Sequence, residues 1–203
     1  MDIWNELASD EVINLTSTAL NNHGIKTVVV NTAAEAKNAV LDLIPPQSQV
    51  MTATSQTLEA AGLNHEINDT DRYNSVKKQL SSMDRATQSQ EMQQLGAAPV
   101  WVVGSVHAVT QLGQVVIASK TGSQLPAYAY GAAHVVWVVS TKKIVLNLDA
   151  AYKRIYEYTL PLENERAMKA YGMGSSVNKI LVINEEVQPD RIRIIFVKED
   201  LGF

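Results

Sequence analysis

The 203-residue chain is 46% hydrophobic and 19% charged, with a formal net charge of −4, so it can bury a substantial core and is short for two full domains. Its 17 Lys and Arg residues are scattered, the densest run being Lys77–Lys78; this argues against a nucleic-acid surface, which needs clustered cations to neutralise phosphate. There is no cysteine, which excludes disulfides, thiolate zinc sites, cysteine nucleophiles and cysteine-ligated iron–sulfur clusters.

Met1 to Glu6 lacks the positive flank and apolar run of a signal peptide, and no stretch has the apolar length that crosses a bilayer, so a cytoplasmic location is expected. Trp4, Ala8, Val12, Leu15 and Ala19 step by three and four, which predicts an N-terminal helix over residues 1–23, stopped by Gly24. Ile25 to Val30 reads as a β-branched strand. A second helix carries Ala36, Ala39, Val40 and Leu43 on one face and ends at Pro45-Pro46. Gln49 to Ala53 is the next strand, and Ser55 is placed to cap the helix after it. Residues 62–98 are polar and helical in composition, with a break at Ser82-Met83-Asp84.

Val100 to Val103, Val115 to Ala118 and Val135 to Val139 are continuous apolar runs, the pattern of strands covered on both faces. Leu148, Ala151, Tyr152 and Ile155 mark a helix closed by Pro161. Lys179 to Asn184 and Arg191 to Val197 are two closing strands around a turn at Val187 to Asp190. The alternation of strands and helices predicts one α/β domain over 1–203. Its mainly parallel central sheet should contain Val28, Val102, Ile117 and Val136, with the C-terminal strand pair at the side.

Two stretches carry more than pattern. One runs from Gly104-Ser105-Val106-His107 through Gln111-Leu112-Gly113 to Ser119-Lys120-Thr121-Gly122-Ser123-Gln124-Leu125. The other runs from Val135 to Val139 through Lys143-Ile144-Val145 and Leu148-Asp149-Ala150-Ala151 to Leu160-Pro161-Leu162-Glu163. With the closing Glu199-Asp200-Leu201-Gly202-Phe203, their order and spacing resemble the LUD, or lactate-utilisation, family. The resemblance implies a NagB/RpiA/CoA transferase-like fold, similar to ribose-phosphate isomerases, glucosamine-phosphate deaminases and coenzyme A transferases. It also implies a role in lactate or organic-acid metabolism. Some members carry a cysteine-rich segment where this chain has Tyr171 to Ser176, and many have an acid where it has Gln111.

The residues then propose a site. Thr54, Ser55 and Thr57 lie at a strand-to-helix junction that suits an anion, or else an ordinary N-cap. Gly122, Ser123 and Gln124 follow a strand, where backbone N–H groups and hydroxyls can wrap an anion; the plainer reading is a solvated turn with Gly122 at positive φ. His107, beside Ser105, is either a proton carrier and the one catalytic candidate, or a hydrogen-bonded structural histidine. Lys143 either neutralises an anionic substrate or belongs to a solvated pair with Lys142. Gln111 is expected to orient a ligand or a loop through hydrogen bonds alone. Thr54, Ser105, Gly122, Ser123 and Lys143 each follow a predicted strand, so they should converge at one sheet edge. None of the four histidines has metal-site spacing, and neither a metal nor a cofactor is expected. The expected partner is an anionic small molecule, phosphorylated, acyl-CoA or carboxylic acid, bound by a homodimer. The alternative is a non-catalytic accessory subunit of a lactate-oxidising iron–sulfur protein complex.

Overall fold

A serine, and not the tryptophan ahead of it, starts the first helix. In the computed structural model, which describes residues 4–203, the Ser9 hydroxyl accepts the Val12 N–H at the head of α1 (Asp10–Asn22). The helix expected over 1–23 is therefore shorter. Trp4 and Ala8 precede it, and its first three residues lie outside the described part. The buried stripe is Ile13, Thr16 and Leu20, whereas Leu15 is exposed. Thr16 tolerates burial because its hydroxyl donates back to the Val12 carbonyl at 2.8 Å.

Strand β1 (Lys26–Val30) leads to α2 (Ala33–Leu43), β2 (Gln49–Thr52), α3 (Gln56–Ala60) and α4 (Leu63–Asn68). The polar stretch that follows holds α5 (Val76–Ser81) and α6 (Ser89–Ala97). A two-residue strand, β3 (Asn74–Ser75), precedes them; it is too short to leave a periodic signal. Then come β4 (Trp101–Gly104), β5 (Ala108–Thr110), β6 (Val115–Ser119), β7 (His134–Ser140), β8 (Ile144–Val145) and α7 (Leu148–Arg154). Pro161 does not close this helix. A π-helical turn at Ile155–Thr159 carries the chain into α8 (Leu160–Tyr171), where Pro161 sits in the first turn. The chain ends in β9 (Lys179–Ile183) and β10 (Ile192–Val197).

Six strands form a wholly parallel central sheet in the order β1-β10-β7-β4-β2-β3. Val28, Val102 and Val136 lie in it as expected. Ile117 does not: it belongs to a second sheet of order β8-β5-β6-β9, where β6 runs antiparallel to both β5 and β9. The two closing strands also separate. β9 joins the small sheet, and β10 inserts between β1 and β7 in the large one, one strand in from its edge.

The apolar run of β7 shows how one strand serves two cores. Val135, Trp137 and Val139 face the second sheet, α1 and α5, while Val136 and Val138 face α2, α3 and α4. On the small sheet, Val115 and Ile117 point inward to the first of these cores, and Val116 and Ala118 point out to α7 and Trp4. Among the described residues, no helix is long and apolar enough to cross a membrane.

Candidate functional site

Because β2, β4 and β7 are parallel neighbours, their exits meet at one edge. Ala53 to Thr57 leaves β2, Ser105 to His107 leaves β4, and Lys143 follows β7. The exit of β6, from Ser119 to Gln124, faces them from the small sheet, and α8 closes the far wall with Glu163, Arg166 and Tyr171. Together they enclose a cavity of about 460 Å³, within the ~300–1,000 Å³ typical of small-ligand sites. Its position beyond the carboxyl ends of parallel strands is where such folds bind ligands.

At the base lies Lys143, 2% exposed. Its Nζ donates to Thr57 Oγ1 at 3.0 Å, Ser105 Oγ at 3.1 Å and the Val106 carbonyl at 3.2 Å. Among the described residues, no carboxylate forms an ion pair with it. Burial, reinforced by the nearby Arg154 and Lys142 cations, holds its amine well below the usual lysine range. The solvated Lys142–Lys143 pair is thus not what forms. Lys142 is buried too, and its ammonium turns away to Asp200 and Asn5.

His107 lines the cavity and is held by hydrogen bonds to its neighbours. Nδ1 accepts the Ala118 N–H at 3.1 Å, which fixes the neutral tautomer with hydrogen on Nε2. Burial, with Lys143 and Arg154 nearby, pushes its pKa down to about 3. A histidine so depressed is neutral near pH 7, with its ring hydrogen on Nε2. Arg154, fully buried, braces the same segment by donating to the His107 carbonyl at 2.6 Å and to Thr159 Oγ1 at 3.0 Å.

The remaining candidates divide. Thr54, Ser55, Thr57, Ser105, Ser123 and Gln124 line the cavity with Lys143. The Ser55 hydroxyl nonetheless does ordinary capping work, accepting the Leu58 N–H at 3.4 Å. Gly122 lies behind the wall rather than on it. Its φ is +85°, and its N–H donates to Ser119 Oγ at 2.9 Å. An added Cβ would stand 2.7 Å from Lys179 Cδ. Gly122→Ala should therefore cost about 1–2 kcal/mol, read as a lowered urea midpoint at unchanged slope. Gln111 is absent from the cavity. It sits in the turn between β5 and β6, held by its backbone N–H on the Val145 carbonyl at 2.8 Å. Neighbouring Gly113 packs against α1 and His23.

Sequence reasoning missed the basic rim. Lys77, Lys120 and Arg166 line the same cavity. Glu163, the one carboxylate side chain among the described lining residues, is gripped by Arg166 through Nε and Nη2 at 2.7 and 2.8 Å. That bidentate pairing raises the guanidinium above its ordinary range. Only their shared edge links Lys77, on α5, with Arg166, on α8; no spacing in the sequence does. Tyr171, Ser175 and Ser176, from the stretch singled out as cysteine-rich in some relatives of the resembled family, also line it.

The LUD domain family model matches residues 13–197. The chain belongs to this family. A crystal structure of a DUF162 family protein from Deinococcus radiodurans superposes with a TM-score of 0.56 at 14% identity, covering 95% of this chain and 99% of that one. At that identity the likeness speaks for the fold alone. No curated protein matches the sequence. The match spans the exits of β2, β4, β6 and β7 and helix α8, so these walls of the cavity lie within the family's own domain.

Proposed function

We propose that this LUD domain binds a small anionic metabolite of organic-acid metabolism, a phosphorylated or carboxylic-acid compound or the acyl end of an acyl-CoA. The observation that carries this reading is the charge pattern of one cavity. Among the described residues, a buried lysine with no carboxylate ion-paired to it lies at its base, Lys77 and Lys120 line it, and Arg166 neutralises its single acidic side chain, Glu163. Hydroxyls of Thr54, Ser105, Thr121, Ser123, Ser175 and Ser176 supply donors around the space between. Such a site attracts an anion and fixes it by hydrogen bonds that charge makes stronger.

A thermal-shift screen of sugar phosphates, acyl-CoAs, folates and 2-hydroxy acids tests it, because a ligand bound only by the folded state stabilises it by about 2.7 kcal/mol at 100 times its Kd. At least one anionic class should raise the melting temperature, and the shift should shrink with salt. Gln111→Ala, remote from the cavity, should leave the affinity within about twofold. The reading fails if no anionic compound shifts the melt, or if Gln111→Ala abolishes a shift while leaving the fold intact.

A further inference from the structure

Two hydroxyls touch the buried amine of Lys143, and they are not equivalent. Thr57 is 1% exposed, and its own hydroxyl hydrogen is directed to the Leu201 carbonyl at 3.4 Å. Ser105 is only half-buried and opens on the cavity. A neutral amine has two hydrogens and one lone pair. The Val106 carbonyl can only accept, and Thr57 has its hydrogen committed, so these two take the hydrogens. The lone pair is left for the Ser105 O–H at 3.1 Å. An ammonium is equally well satisfied, with Val106, Thr57 and Ser105 as its three acceptors. The site therefore holds the amine in either protonation state without moving a heavy atom, only the Ser105 hydroxyl hydrogen turning, as proton exchange with a hydroxyl requires.

We propose that Ser105 and Lys143 form a nucleophile–base pair that transfers the acyl group of an anionic ester or thioester to Ser105 and then to water. Ser105 Oγ bonds to the carbonyl carbon as its proton passes to Lys143 Nζ. The alcohol or thiol leaves, taking that proton, and an acyl-serine remains. Water then attacks the acyl carbon and gives a proton to Nζ. The Ser105–acyl bond breaks, the proton returns to Oγ, and a carboxylic acid is released. Among the described residues, Lys143 has no carboxylate to hold it as a permanent cation; the charges nearest it, Arg154 and Lys142, are both positive and favour the free base. The anionic character of this substrate rests on the binding reading above; the pair itself does not.

The test uses the full chain and diisopropyl fluorophosphate, an uncharged reagent that phosphorylates activated serines with loss of fluoride. Intact mass should show one adduct per chain, and peptide mapping should place it on Ser105. Ser105→Ala should take up none. Lys143→Met, shown by its melt to be folded, should react at least ~100-fold more slowly. Mapping on the parent protein stands whether or not a variant folds. No adduct, an adduct on another residue including Lys143, or an unchanged rate in Lys143→Met would overturn the pair. If anions still shift the melt when no adduct forms, only the pair is lost. If Ser105 is modified and no anion binds, the pair is supported and the anionic substrate class is overturned.

Discussion

Lys143→Met is expected to weaken anion binding by at least tenfold, about 1.4 kcal/mol, and to raise the melting temperature at pH 7. The second effect follows from burial. The lysine is desolvated among two hydroxyls and a carbonyl, with cations and no carboxylate beside it, so the folded state disfavours its charge while the unfolded chain carries that charge freely. Methionine fills similar space without that cost, and loses hydrogen bonds worth about 1 kcal/mol each. Because the folded amine has its pKa depressed, the unfolded state binds more protons over the interval up to the ordinary lysine value. The parent's stability therefore rises with pH through that interval. The gap between variant and parent should be widest at low pH and narrow toward about pH 10. In a chain of this size ~1 kcal/mol moves the melt by about 2–4 °C, so a few degrees are expected. A melting temperature that falls at pH 7 would show that the three hydrogen bonds outweigh the burial, contrary to this account.

His107 should govern part of the response to acid. Its folded pKa is about 3 against an ordinary 6.5. Above 6.5 both folded and unfolded states are neutral and nothing is at stake. As pH falls below it, the unfolded chain takes up a proton that the folded one refuses, so stability is lost progressively toward about pH 3. Between pH 7 and pH 4.5 this amounts to about 2–3 kcal/mol. His107→Asn keeps an acceptor for the Ala118 N–H and removes the titration. Its stability, from urea melts across that range, should decline less steeply than the parent's by that amount. Parallel curves would show that His107 is free to protonate in the fold.

The central sheet was legible because its strands announce themselves twice. Val135 to Val139 is apolar at every position since it serves two cores, and the helices between strands carry periodic faces such as Ala36, Val40 and Leu43. What that signal cannot give is membership. β6 is buried on both faces in the small sheet as fully as a strand of the large one, so the run Val115 to Ala118 reads alike in either. β5 and β8, three and two residues long, are too brief for any period to show, and without them β6 and β9 do not read as a sheet of their own. At the site, strand exits were enough to gather Thr54, Ser105, Ser123 and Lys143. Arg166 and Lys77 reach the cavity from helix faces that in isolation read as solvated charge. Gln111 was drawn in by its place in the family motif, and a turn between short strands carries it to the far side.

The position of β10 determines when this fold can be completed. β1 has a single neighbour in the sheet, and that neighbour is β10, which pairs Lys26 with Arg193 on one side and Val135 with Ile192 on the other. During synthesis, β7, β4, β2 and β3 can assemble while the chain is still emerging, whereas β1, made early, must wait for nearly the last residues before it has a strand to pair with. Pairings between such distant stretches of chain close slowly. Until then the unpaired backbone of β1 and the open edge of β7 remain exposed to other nascent chains, and a ribosome stalled before Ile192 would hold a four-stranded sheet with an unattached first strand.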